Sequence, residues 1–291
     1  MGIRWSSAWV LLGLSHPHGY GYQLKAEECG APRRTLALNF FAFSGKPSWL
    51  LLVMLTRLTI VFTRLTIDHS LGKEVLVQLK RTAIDIEVII SDDGEGIFKK
   101  IQRELKLYDE RHAVLELAKG KLTTDPDRHT GQGIFFTSRM FDQFAILSGI
   151  VYFSHEFHKA EDWIFERDGF QSGTTVVMKL NNNTSRTAKR VFDNFSSGDD
   201  YAFTKTIVPV RLAQYGDEKL VSRSQAKKLL ARVDNFRVVV FDFTGVEGIG
   251  QAFADEVFRV FRKQHPEMQI MSLHASQDVA QMISRAQSID T

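Results

Sequence analysis

One junction in the sequence constrains the fold more than any other feature of the chain. The segment at 84–90 alternates in a way that predicts a β-strand, and it leads directly into Asp92-x-Gly94-x-Gly96-Ile97. A carboxylate therefore stands at the end of the strand, followed by two residues that lack a side chain. Glycine lets the backbone turn sharply and lets a ligand approach the main chain closely. The junction predicts a binding position at the end of a strand.

A second glycine pair, Gly131 and Gly133, stands immediately before an apolar segment at 134–144 that is compatible with a helix. Free amides at a helix start, together with the positive end of the helix dipole, favour phosphate. A carboxylate that can accept a hydrogen bond from an adenine amino group, combined with such a phosphate seat, is typical of a nucleotide pocket. Asp-x-Gly-x-Gly by itself is more typical of a plain turn.

In this order the motifs resemble those of the GHKL ATPases, the gyrase, histidine kinase and heat-shock chaperone type, which include the anti-sigma-factor serine kinases. The matching residues are Asp92, Gly94 and Gly96 for the first glycine box, Gly131 and Gly133 for the second, and Gly173-Thr174 for the late Gly-Thr. The resemblance implies an α/β sandwich that binds ATP. It also implies that Asp92 receives the adenine amino hydrogen and that Thr174 supports this contact through water.

The polar segment at 119–128, interrupted by glycine and proline, predicts a loop between the two glycine boxes. In the resembling family this loop is the lid that folds over the phosphates. Lys119, Lys121 and Arg128 are placed to meet phosphate charge, and Lys121 is the residue that we assign to this role. The alternative is that Lys121 is exposed to solvent and binds no phosphate. ATP is the implied cofactor, with Mg²⁺ as its implied companion.

The catalytic box of the GHKL family does not match this sequence. The family carries Glu-x-x-x-Asn-Ala-x-x-His, in which Glu activates the attacking water or hydroxyl and Asn holds Mg²⁺. Counting back from His69, these positions hold Val61 and Leu65, and residues 49–68 contain neither Glu nor Asn. Valine and leucine can neither take a proton nor bind a hard cation, and Asp68 is the carboxylate that could replace the metal ligand.

The resemblance therefore predicts an ATP-binding regulatory or switch protein whose catalytic and metal-binding residues are unknown. The alternative is an active serine or histidine protein kinase, or an ATPase, of the anti-sigma-factor type. A third hypothesis is a structural remnant that binds no nucleotide.

Downstream, strands and helices are predicted to alternate around a continuous apolar segment at 236–243, which indicates a small α/β layer domain. Residues 239–250 resemble the strand and following loop of STAS domains, the anti-sigma-factor antagonist fold. The antagonists carry a phosphorylated serine after this loop, whereas this chain has Ala252, so we expect no phosphoswitch there. The resemblance implies an interaction domain that contacts a protein partner or another domain of the same chain.

Together these features predict an α/β (α+β) protein, with a GHKL-type sandwich followed by a smaller STAS-like layer domain. The predicted organisation is an unassigned segment at 1–48, the ATP-binding domain at 49–182, a linker at 183–200 and the STAS-like domain at 201–291. The sequence does not indicate an oligomeric state.

Composition narrows the choice of partner and compartment. A net charge of +3 is too small to indicate nucleic acid, and no helix-turn-helix pattern precedes residue 49. The lone Cys29 excludes an intramolecular disulfide framework and fits the reducing cytoplasm. The apolar segment at 49–67 contains Arg57 and Arg64, and its longest uninterrupted piece is far shorter than the roughly 20 residues that a span requires. We therefore expect a buried helix there and no membrane span.

Overall fold

The structure is a computed structural model that describes residues 72–123, 130–157, 159, 162–196, 202–214 and 218–288, together with the strands at 20–25 and 35–41. The helix predicted within 49–67, including the positions of Val61 and Leu65, lies outside the described residues. The chain divides into two compact units. Unit 1 comprises Met1–Lys100, Phe141–Tyr152 and Glu166–Thr184, and unit 2 comprises Ile101–Met140, Phe153–Phe165 and Ser185–Thr291.

A six-stranded sheet has the order β1-β2-β3-β4-β6-β5. Its strands are β1 (Tyr20–Lys25), β2 (Thr35–Phe41), β3 (Glu74–Arg81), β4 (Asp85–Asp92), β5 (Gln143–Glu156) and β6 (Trp163–Asn181). β2 and β3 pair in parallel, whereas β3–β4 and β4–β6 are antiparallel. The segments at 74–79 and 84–90 predict a hairpin-like pair of strands, which the structure confirms as β3 and β4. The segments at 162–165 and 174–180 predict two separate strands, but the structure joins them into the single long strand β6.

Alternation along β3 and β4 shows which face of this sheet carries the core. Val75, Val77, Ile86, Val88 and Ile90 are all buried. These residues alternate with more exposed ones, as expected when one face of an antiparallel sheet packs inward.

Helices follow the strand ends at the positions that the sequence indicates. They are α1 (Ile97–Leu105), α2 (Glu110–Lys119), α3 (Gly133–Met140) and α4 (Ala188–Asp193). Asp109 caps α2 by accepting the His112 amide hydrogen over 2.8 Å. Gly120 ends the helix at a φ of +85°, which favours glycine. α4 lies within the segment predicted as a linker.

The second sheet contains three parallel strands in the order β7-β8-β9. The strands are β7 (Lys205–Pro209), β8 (Val238–Asp242) and β9 (Gln269–Leu273), and the helices among and after them are α5 (Arg223–Leu230), α6 (residues 251–264) and α7 (Gln277–Ser288). Parallel strands joined by helices form the predicted α/β layer. The mixed α/β class of the chain is thus confirmed. The segment at 204–212 predicts a strand, but β7 ends at Pro209, where the chain turns into a 3-10 helix at Val210–Ala213.

The helix α5 begins with the predicted capping box. Ser222 Oγ accepts the amide hydrogen of Gln225 over 3.2 Å, and Gln225 Oε1 accepts the amide hydrogen of Ser222 over 3.0 Å. The apolar spacing at 224–233 predicts a helix that reaches Val233, but the helix ends at Leu230, and Arg232 adopts a left-handed φ of +61°.

The helix α6 departs from regular α geometry in its centre. It begins as Gln251–Asp255, continues as a π-helix over Glu256–Phe261 and ends as Arg262–Gln264. A π turn takes up an extra residue, so the buried stripe shifts along the helix. Consequently Phe258 is buried, whereas Val260, which the regular period predicts to face inward, is only half-buried. Across the described part of the chain, no helix combines the length and the apolar character needed to cross a membrane.

Candidate functional site

The ends of β4 and β6 bring the first glycine box next to the late Gly-Thr in unit 1. Ser91 pairs with Thr175 across the two strands, and their hydroxyl oxygens lie 2.8 Å apart. The residue before Thr175 in β6 is Thr174, and its Oγ1 accepts the amide hydrogen of Ile97 over 2.9 Å. The structure therefore places the predicted site residues Asp92, Ile97 and Thr174 in one cluster.

Two glycines allow the close approach of backbones at this cluster. Gly173 has a φ of +74°, and a Cβ there would lie 1.9 Å from the carbonyl oxygen of Asp92. Gly96 has a φ of +90°, and a Cβ there would lie 2.5 Å from Ser148 Oγ. The buried Ser148 hydroxyl donates to the carbonyl oxygen of Gly173 over 3.1 Å. Sequence reasoning missed Ser148, because a small polar residue inside an apolar strand gives no motif.

The two oxygens of the buried Asp92 carboxylate differ in their hydrogen-bond partners. The side chain is only 7% exposed, and Oδ1 accepts the amide hydrogen of Gly94 over 2.8 Å. Oδ2 is buried and has no hydrogen-bond partner among the described residues. Burial raises the pKa of Asp92 to about 6, against the opposing effect of the Gly94 and Thr174 amides. A buried acceptor without a donor is costly, so an external donor at Oδ2 would relieve that cost.

The adjacent carboxylate, Asp93, is exposed and serves a structural purpose. Its Oδ1 accepts the amide hydrogens of Lys73 and Glu74 over 2.7 and 2.9 Å. The hydrogen bond from the Glu74 amide is the main reason that the pKa of Asp93 lies below its usual value. Of the two neighbours, Asp92 is therefore the one with a buried oxygen that lacks a donor among the described residues.

The predicted phosphate-binding residues belong to unit 2. Gly133 is the first residue of α3, and Gly131 has a φ of +68°, where a Cβ would lie 2.5 Å from the backbone of Leu122. Lys121 Nζ donates to the carbonyl oxygen of Asn235 over 2.7 Å and lies 4.6 Å from the ring centroid of Phe236. The role of Lys121 as a phosphate ligand stays a prediction, and this protein contact competes with it.

Lys119, which the sequence places among the loop cations, is instead the last residue of α2 and is only 1% exposed. Its Nζ donates to Glu116 Oε1 over 2.6 Å and to the carbonyl oxygens of Ala231 and Lys228 over 2.8 and 3.1 Å. Burial lowers the pKa of Lys119 to about 8, although Glu116 opposes this shift. The lysine therefore binds the end of α5 within unit 2.

Arg232 completes this buried ion cluster. Its guanidinium donates to Glu116 Oε2 over 3.2 Å and to the carbonyl oxygen of Lys121 over 2.7 Å. Burial disfavours the ionised form of the fully buried Glu116, but His112, Lys119 and Arg232 outweigh burial and hold the pKa of Glu116 below its usual value. Sequence reasoning missed this cluster, since the spacing of Glu116 and Lys119 is typical of any exposed helix.

Two smaller groups contain histidine. Asp242 Oδ1 at the end of β8 accepts hydrogen bonds from the Thr244 amide and hydroxyl, and it lies 3.0 Å from His274 Nδ1. The sequence around His155 predicts a loop or hairpin with exposed histidines. His155 lies in β5, but it is partly buried and its Nδ1 lies 2.6 Å from Asp162 Oδ1. Among the described residues, no group of three or more His, Cys, Asp or Glu side chains could hold a metal ion.

Comparison with known families supports the C-terminal assignment. A family model described as a STAS-like domain of unknown function (DUF4325) matches residues 225–280. The match covers α5, β8, α6 and β9 and reaches into α7. A search of curated proteins found no match.

Proposed function

We propose that this chain is an ATP-binding switch protein of the GHKL type, whose STAS-like domain contacts a protein partner. The observation that carries the proposal is the buried Asp92 Oδ2, which has no donor among the described residues. An adenine amino group would supply that donor. A hydrogen bond to a charged acceptor is worth about 1.5–3 kcal/mol, and guanine, which presents a carbonyl oxygen at the equivalent position, would face the carboxylate with an acceptor.

The surrounding residues support an adenine subsite in unit 1. Gly173 and Gly96 let neighbouring backbone segments approach closely, and this packing holds Asp92 beside Thr174. Asp92, Gly94, Gly96, Ile97 and Thr174 would surround the ring. The roles of Gly131, Gly133 and Lys121 at the phosphates stay predictions from the sequence. When bound, ATP would supply a negatively charged polyphosphate, and Mg²⁺ would accompany it.

The proposal is binding without turnover. The sequence offers Val61 and Leu65 at the catalytic positions of the resembling family, and neither side chain can act as a base or bind a hard cation. The STAS-like match at 225–280 supports an interaction domain, so nucleotide binding would serve to regulate contact with a protein.

Isothermal titration with ATP and Mg²⁺ tests the proposal. We expect the wild type to bind ATP more tightly than GTP, and we expect Asp92→Asn to weaken ATP binding by about tenfold to a hundredfold, because the amide loses the charged acceptor. Asp93→Asn is the matched control and should bind ATP as the wild type does. Absence of ATP binding by the wild type, or equal binding by Asp92→Asn, would rule out the proposed site. Phosphate release should stay at background.

Stability measurements give a second prediction at the same carboxylate. The pKa of Asp92 is about 6 in the folded state against 3.8 for a free side chain, so between these values the folded state binds more protons. The contribution of Asp92 is therefore complete below pH 3.8 and is lost as the pH rises through 6. At pH 7.5 and without nucleotide, Asp92→Asn should be more stable than the wild type by about 1–3 kcal/mol.

Urea unfolding between pH 4 and 8 measures this difference, which should shrink towards pH 4. Asp93→Asn should change stability in the opposite direction, because the pKa of Asp93 is lowered. An Asp92→Asn variant that is less stable than the wild type at pH 7.5 would contradict the assignment.

A further inference from the structure

The strand β9 has an unprotected edge. It pairs with β8 on one side, and the described residues place no strand on its other side. Its sequence, Gln-Ile-Met-Ser-Leu, contains no charge, proline or glycine. Natural proteins usually protect edge strands with lysine, proline or a bulge, and β9 uses none of these.

The outward-facing groups of β9 follow from its register with β8. The Gln269 amide donates to the carbonyl oxygen of Arg237 over 2.8 Å, and the carbonyl oxygen of Leu273 accepts from Phe243 over 2.9 Å. Because successive residues of a parallel strand direct their peptide groups to opposite sides, the peptide groups of Ile270 and Ser272 point away from β8. These peptide groups have no partner among the described residues.

An apolar surface accompanies this open edge. Met271 is 45% exposed and Leu273 is 40% exposed. Residues two apart in a strand share one face of the sheet, so these side chains form one continuous strip beside the free peptide groups. A strand added at this edge would satisfy the peptide groups and cover the strip at the same time.

We propose that two copies of this chain pair through β9, antiparallel, about a twofold axis at Met271. In this register Ile270 of one copy faces Ser272 of the other, so each such pair exchanges two backbone hydrogen bonds. Met271 faces its own copy at a position without hydrogen bonds, where side chains come closest. The three-stranded sheets of the two copies then join into one six-stranded sheet.

A second copy fits this edge better than a different partner does. The free peptide groups lie symmetrically on either side of Met271, which is what a twofold interface with the same patch on both sides requires. The strand is uncharged, so self-pairing opposes no like charges. For the same reason β9 offers no charge to select an acidic or basic peptide. The inference is independent of nucleotide binding.

Sedimentation velocity of the full chain tests the pairing. We expect a dimer at about 100 µM that dissociates on dilution. Met271→Glu and Met271→Lys should each weaken the dimer by at least about tenfold, because two like charges meet at the axis. Mixing the two variants in equal amounts should restore the dimer, since glutamate then faces lysine. Only an interface that places residue 271 against its own copy gives this recovery.

Ser272→Pro provides an independent variant. Proline removes the outward amide and fills its place, whereas the hydrogen bonds to β8 stay intact. Val221→Glu, which changes another exposed apolar residue of unit 2, is the control and should sediment as the wild type does. Far-UV circular dichroism checks the folding of each variant.

Three results would overturn the proposal. They are a wild type that is monomeric at about 100 µM, a dimer that resists both Met271 variants, and single variants that dissociate without recovering when mixed. A monomeric wild type would direct the search to a strand from another protein. If Ser272→Pro does not fold, the charge-reversal pair decides the question by itself.

Discussion

We expect the replacement of Gly173 by alanine to lower the free energy of unfolding of unit 1 by more than about 4 kcal/mol, or to prevent folding. The added Cβ would lie 1.9 Å from the carbonyl oxygen of Asp92 and 2.9 Å from its Oδ1. The nearest atom belongs to the backbone of β4, so no flexible side chain can move aside. The positive φ of Gly173 adds about 1 kcal/mol of strain for any residue with a Cβ.

The strand β6 contains its own control. Gly169 also has a positive φ, +95°, but a Cβ there would meet nothing within 4 Å. Gly169→Ala should therefore show only the backbone strain, about 1 kcal/mol. Urea unfolding of the two variants followed by far-UV circular dichroism separates the steric contribution from the strain. Equal losses for the two variants would mean that the contact with Asp92 does not require glycine at position 173.

The variant Glu116→Gln is expected to destabilise unit 2 by about 3–5 kcal/mol. The substitution keeps the shape of the side chain but removes the charge that faces Lys119 at 2.6 Å and Arg232 at 3.2 Å. The ammonium group of Lys119 would then be buried against carbonyl oxygens alone. A buried charge that loses its counterion costs far more than an exposed pair contributes.

The pH dependence of this loss has a definite sign. Glu116 raises the pKa of Lys119 against the effect of burial, so its removal lowers that pKa further below the ordinary 10.5. The unfolded chain then binds more protons than the folded one at alkaline pH, and stability rises with pH. The difference between Glu116→Gln and the wild type should shrink from pH 7 to pH 9.

Two comparisons make the Glu116 experiment specific. Asp193→Asn breaks the exposed pair with Lys189 on α4 and should cost no more than about 0.5 kcal/mol. The double variant Glu116→Leu/Lys119→Met removes both buried charges and should recover much of the loss, although two carbonyl oxygens at the end of α5 lose their donor. If Glu116→Gln costs as little as Asp193→Asn, the buried cluster contributes nothing specific.

Local patterns in the sequence predict most of the elements correctly because the signals are local. The alternation before Asp92 gives β4, Asp109 starts α2, and Ser222 with Gln225 starts α5. The shift of the buried stripe in α6 could not be predicted, since a π turn arises from packing that a regular helical period does not contain. The end of β7 at Pro209 does have a signal in the sequence, because proline lacks the amide hydrogen that would continue the ladder, and the prediction of a strand to Leu212 overlooked it.

The candidate site was only partly predictable for a related reason. The spacing of the motifs identifies Asp92, the glycines and Thr174, because each position needs either a backbone conformation that favours glycine or a side chain that accepts a hydrogen bond. Burial of Lys119 and Glu116 depends on residues far along the chain, namely Ala231 and Arg232, and no local pattern reports such distant partners. Without Ala231 and Arg232, the surface of α2 that carries Glu116 and Lys119 would be exposed to solvent.

The distance along the chain between these partners affects how the protein is made. Glu116 and Arg232 are 116 residues apart, and residues 101–140 and 185–291 build the same unit. At about 5–20 residues per second, the ribosome produces α2 roughly ten seconds before α5 emerges. During that interval the charges of Glu116 and Lys119 must stay hydrated, so unit 2 completes its core only near the end of translation. A truncated chain that begins at residue 201 would leave the backbone acceptors at the end of α5 without Lys119.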